Sequence, residues 1–110
     1  MSRINEGEVL LAIHMAELGV PFERQFYYCP GRRFHADFAY PQPEYRLLIE
    51  VNGGQRAPVG GHSGMAGIQR DNERLRHATR NGYFVARFTP DEVKCGAAKE
   101  WIRTFLEGKT

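Results

Sequence analysis

Two carboxylates, Asp37 and Glu50, carry the strongest chemical signal in this chain. They lie in FHADFAY and YRLLIEVN, two apolar stretches separated by PQPE. Both stretches alternate as β-strands do, and Pro41, Pro43 and Glu44 between them read as a turn. Folded back as an antiparallel hairpin with a loop of about six residues, they place Tyr40 opposite Leu47 and, counting outward, Asp37 opposite Glu50. Directly opposed residues share a face, with Cβ atoms roughly 4.5–5.5 Å apart. Carboxylates that close repel, and one takes up a proton unless a cation lies between them. A bound divalent metal is the economical answer, because hard cations take carboxylate oxygens.

The period-two rule divides the hairpin. Phe34, Ala36, Phe38 and Tyr40 point with Leu47, Ile49 and Val51 to an apolar face that a helix must cover. His35, Asp37 and Ala39 point with Leu48, Glu50 and Asn52 to the other, so His35, Asp37, Glu50 and Asn52 gather at one strand end. A polar cluster beside a glycine-rich loop and flanked by arginines is the equipment of metal-assisted phosphodiester hydrolysis. There a metal polarises the phosphate, lowers the pKa of attacking water and stabilises the leaving oxygen. The Val51 carbonyl is a further oxygen ligand if it points into the cluster. The alternative is a half-exposed hairpin whose carboxylates splay into solvent.

The elements that must hold this hairpin are legible on either side. Glu6–Leu18 predicts a helix stopped by Gly19 and Pro21. Glu8 shares a face with Leu11, Ala12 and Met15; it either needs a partner there or is a first-turn acid favoured by the helix dipole. Phe22–Tyr28 reads as a strand. After the hairpin, NGGQRAPVGGHSGMAG reads as a long glycine loop, a length that is functional or mobile in so small a domain. Ile68–Asn81 reads as a charged helix stopped by Gly82, and Tyr83–Phe88 as a buried strand. Thr89 and Pro90 open a closing helix whose apolar stripe is Ala98, Trp101, Ile102 and Phe105. The order is α-β-β-β-α-β-α, a three-strand antiparallel unit continued by a crossover helix into another strand.

At 110 residues the chain makes one domain, residues 1–110. Its 42% hydrophobic and 25% charged content is ordinary for a soluble globular protein. No stretch is long enough to span a membrane, and MSRINEGEVLL carries acidic residues where a secretion signal needs basic ones. Cys29 and Cys95 are isolated, which fits a reducing cytosol. The formal net charge is only +2, but arginines run from Arg24 to Arg80 and the first lysine is Lys94. Arginine suits bidentate phosphate contacts, although a genome rich in arginine codons gives the same bias.

The ordered set FERQF, HADFAY, LLIEVNGG, GGHS, QRDNERLRHATRNGY and FVARFTPDEV resembles the PD-(D/E)xK nuclease superfamily. Within it, the set is similar to small phage and prophage endonucleases and to the very-short-patch-repair-like DUF559 domains, over roughly residues 6–93. The resemblance implies a restriction-endonuclease-like α/β fold: an αβββαβα core with a mixed four-stranded sheet flanked by helices. It implies a metal-dependent DNA endonuclease of DNA repair or recombination, with Asp37, Glu50 and the Val51 carbonyl on Mg²⁺ or Mn²⁺ and Glu8 orienting water. Ala36 stands where the superfamily has proline, and Asn52 stands at the lysine of the ExK element. Asn52 is neither a base nor a cation, so Arg74, Arg70 or His62 must supply the charge, or the chain is a DNA-binding module without turnover. A zinc-dependent HNH-type site fits poorly, because the histidines lack its spacing.

His62 is the best additional candidate for holding phosphate or moving a proton; the alternative is an ordinary loop histidine. Asp71 and Arg74, three apart on one helix, read as a surface ion pair or as neighbours of the site. Arg76 and Arg80 read as a solvated or DNA-facing stripe. Arg24, Arg32, Arg33, Arg56, Ser63, Arg70 and Arg74 are the candidate DNA contacts. Cutting both strands with so small a domain would take a homodimer or two sequential nicks.

Overall fold

The computed structural model describes residues 5–52 and 64–108. In chain order they form α1 (Glu6–Leu18), β1 (Glu23–Tyr27), β2 (His35–Tyr40), β3 (Leu47–Val51), α2 (Gly64–Arg80), β4 (Phe84–Phe88), α3 (Pro90–Lys94) and α4 (Ala97–Gly108). One four-stranded sheet runs in the order β1-β2-β3-β4. The first three strands are antiparallel and β4 joins β3 in parallel. This is the expected α/β architecture, a mixed sheet flanked by helices. Among the described residues no helix is long and apolar enough to cross a membrane.

Local chemistry sets the helix ends. The Asn5 side chain accepts the Glu8 amide at 3.1 Å, and Gly19 closes α1 at φ 82°. Thr89 and Glu92 form a reciprocal capping box around Pro90. Two expectations need correcting. Helix α2 begins at Gly64, so the last four residues of the expected glycine loop are helical. The expected closing helix is two helices, parted by Gly96 at φ 89°, a conformation that costs glycine little.

The sheet has two unlike faces. Helices α1, α3 and α4 cover one, enclosing Leu11, Met15, Phe38, Tyr40, Leu47, Ile49, Val93 and Ile102 completely. Each such side chain contributes about 1.5–3 kcal/mol by leaving water. On the other face Tyr28, Cys29, Ala36, Ala39 and Leu48 pack with Ala78, which is the only fully buried residue of α2. Arg46 secures the far end of α2. Its guanidinium donates to the Asn81 and Gly82 carbonyls and lies 4.1 Å from the Tyr83 ring centroid.

The hairpin register is the expected one for Tyr40 and Leu47, and the ladder runs to Phe38 opposite Ile49. The strict alternation along β2 does not hold. Ala36 packs with Ala39 and Leu48 on the α2 side, while Phe38 and Tyr40 enter the opposite core. The strand therefore changes phase around Asp37. On its other flank the register passes from Arg24–Phe38 to Phe26–Ala36, and Gln25, at φ 50°, falls opposite Asp37. The backbone is irregular where the acid sits.

Candidate active site

Asp37 lies where β2 and β3 part. Its Oδ2 accepts the Val51 amide at 2.8 Å, a donor that a continued antiparallel ladder would give to the backbone of β2. The first turn of α1 comes down on this strand end. Gly7 permits the approach, since a Cβ there would meet Val51 Cγ1 at 3.1 Å and Pro90 Cα at 3.5 Å.

Glu8 is thereby set beside Asp37. Burial first, then the charge of Asp37 and a hydrogen bond with it, raise the Glu8 carboxyl above the usual glutamate range. Arg24, 3.7 Å from Glu8, and His35 pull it partly back. These acids form a half-buried pair, and adjacent carboxylate oxygens are the donors that a divalent metal takes. Among the described residues, no three His, Cys, Asp or Glu side chains form a ready-made metal cage.

Glu50 has different company. Arg74 Nη2 donates to Oε2 at 3.2 Å and Arg87 Nε donates to Oε1 at 3.1 Å. Arg87 also grips Asp71 with both terminal nitrogens, at 3.0 and 3.2 Å, and Arg74 donates to the His35 carbonyl at 2.9 Å. The Glu50 carboxylate is thus not bare, and the hairpin register that sets position 37 opposite position 50 is the expected one. Asp37 is joined to Glu8 across the strand end, and Glu50 is neutralised by two guanidinium groups facing α2. The expected Asp71–Arg74 pair is replaced, because Arg87 competes for Asp71 with a bidentate fork.

Arg87 is the site residue that sequence reasoning missed. Its signal was present: FVARF alternates, Ala86 and Phe88 are core, and Arg87 in register beside Glu50 must face the polar side. Asn52 is exposed, and its amide extends the β3–β4 ladder by donating to the Phe88 carbonyl at 3.0 Å. Arg24 flanks the acid pair. Arg32 instead braces α2, donating to Glu73 at 2.8 Å and lying 4.5 Å from the Phe34 ring centroid. Arg33 and Arg70 are exposed. Arg56, His62 and Ser63 lie outside the described residues.

The fold has a counterpart among solved structures. The homing endonuclease I-Bth0305I catalytic domain superposes with a TM-score of 0.67 at 20% identity, over 94% of this chain and 95% of that one. At that identity the likeness establishes a nuclease-like fold. No protein-family model matches the chain, and no curated protein sequence matches it.

Proposed function

We propose that this protein is a metal-dependent DNA endonuclease of the PD-(D/E)xK type, using Mg²⁺ or Mn²⁺. The observation that carries the reading is the Glu8–Asp37 acid pair on an endonuclease-like fold. Asp37 and the Val51 carbonyl would hold the ion, with Glu8 at its edge; bound there, it supplies positive charge to the scissile phosphate and acidifies water. Glu8, whose proton affinity is raised, orients the attacking water and takes up its proton. Glu50 fixes Arg74 and Arg87, and these cations replace the lysine that Asn52 displaces, meeting the charge that builds on phosphate. Arg24, Arg33 and Arg70 supply backbone contacts, and Arg56, His62 and Ser63 keep the phosphate-side roles expected of them from the sequence. Cleavage of both strands takes two copies of the domain or two successive nicks.

The test is a supercoiled-plasmid assay in EDTA, Mg²⁺ and Mn²⁺ with the parent protein and Asp37→Asn. Nicked or linear product that requires both metal and Asp37 supports the reading. DNA binding without cleavage in either metal would make the chain a binding module on a nuclease-like fold.

A further inference from the structure

The sheet edge nearest the acid pair presents an aromatic surface that the chemistry above leaves unused. Tyr27 ends the edge strand β1 and is 60% exposed. Its neighbours turn inward: Phe26 packs edge-on against Tyr83, and Tyr28 lies against Phe34 and Tyr83. Tyr27 instead pairs across the strands with His35, ring centroids 5.1 Å apart and planes tilted by 35°.

This step adjoins the reactive end. His35 precedes Asp37 by two residues on β2, and Arg24, three residues before Tyr27, reaches Glu8 at 3.7 Å. Arg33, two residues before His35, is exposed, and its carbonyl lies 3.4 Å from the His35 ring Nδ1. The surface therefore combines an exposed aromatic ring, the Arg24 guanidinium at Glu8 and the neighbouring acids. Continuous duplex keeps its base faces stacked on one another and offers only their edges. An open aromatic face beside arginines fits a base that has left the stack, and stacking of this kind is indifferent to sequence.

We propose that Tyr27 and His35 form a stacking platform for an unpaired base near the phosphate to be cut. The preferred DNA then carries a single-stranded or frayed segment, as at a flap, gap or branch. This deepens the endonuclease reading and rests on it for the location of the cut.

Binding in Ca²⁺ tests the platform without requiring turnover. The probes are a flapped duplex with 2-aminopurine in its unpaired arm and a continuous duplex of the same sequence. The expected result is quenching of the flap's 2-aminopurine by the parent protein. Tyr27→Ala should lose affinity for the flap by roughly tenfold, the scale of one lost base–aromatic stack, and keep its affinity for duplex within about twofold. Tyr27→Trp should restore both flap affinity and quenching. Absence of quenching, equal loss on both DNAs, or no rescue by tryptophan overturns the platform. Quenching that depends on Tyr27 in a protein that cuts no DNA with Mn²⁺ upholds the platform and overturns only the endonuclease reading. Cleavage of the flapped DNA with Mn²⁺ that Tyr27→Ala leaves unchanged, without quenching by the parent, does the reverse.

Discussion

The two faces of the sheet are built on opposite principles. The face under α1, α3 and α4 is apolar, and its largest side chains are wholly enclosed. The face under α2 has a thin apolar patch and is held largely by guanidinium groups: Arg74 and Arg87 on Glu50, Arg87 on Asp71, Arg32 on Glu73. Apolar burial is non-directional and scales with the area covered, whereas ion pairs are directional and weak near solvent. The division separates what keeps the chain folded from what fixes charged groups in position. The acid pair Glu8–Asp37 lies at the seam between the two, where the strands part.

The comparison is broken most severely from the apolar side. Phe38→Ala should cost about 3–5 kcal/mol, a large share of the roughly 5–15 kcal/mol that holds a domain together, and urea unfolding measures it. Arg87→Leu attacks the polar side and should cost only about 1 kcal/mol of stability. It should lower cleavage by on the order of a hundredfold, because Asp71 and Glu50 lose their shared partner and the phosphate loses a cation. A result in which Arg87→Leu unfolds the protein and Phe38→Ala leaves it intact would reverse the assignment of the two faces.

A subtler contrast comes from Glu8→Gln. The folded protein holds the Glu8 proton more tightly than the unfolded chain does, chiefly through burial and then through Asp37. This group's contribution is therefore complete at acid pH and is lost as pH rises through the ordinary glutamate range toward its raised value. In EDTA, Glu8→Gln should match the parent in acid and exceed its melting temperature at neutral pH, while cleavage with metal falls. Melting curves of both proteins across this range give the difference directly. The smallest effect is expected at Arg103, whose pairs with Glu100 and Glu107 stand on the open face of α4. Arg103→Ala should leave melting and cleavage unchanged.

Short-range chemistry was readable from the residues. Helix α1 could be bounded at both ends, because Gly19 followed by Pro21 permits little else. Thr89 and Pro90 announced α3, and the turn at PQPE fixed the register through Tyr40 and Leu47. The acids themselves were also visible. Their companions were not, because they depend on non-local geometry. Alternation along β2 set Ala36 with Phe38 and Tyr40, yet Ala36 packs in the other cluster, beside the stretch where Gln25 takes φ 50°. Pairing Asp71 with Arg74 followed helix spacing correctly and lost to Arg87, a competitor 16 residues away that only the parallel docking of β4 brings near. The helical start of α2 at Gly64 was hidden by the low helix propensity of Gly64 and Gly67.

The contact of Gly7 with Val51 and Pro90 has a bearing on synthesis. Glu8 is made before the surface that seats its helix is complete, because that surface includes Pro90, more than eighty positions further along. A partly made chain carries the acids without the geometry that joins them. A chain that stops short of Pro90 lacks part of the seat that brings α1 down on the end of β3.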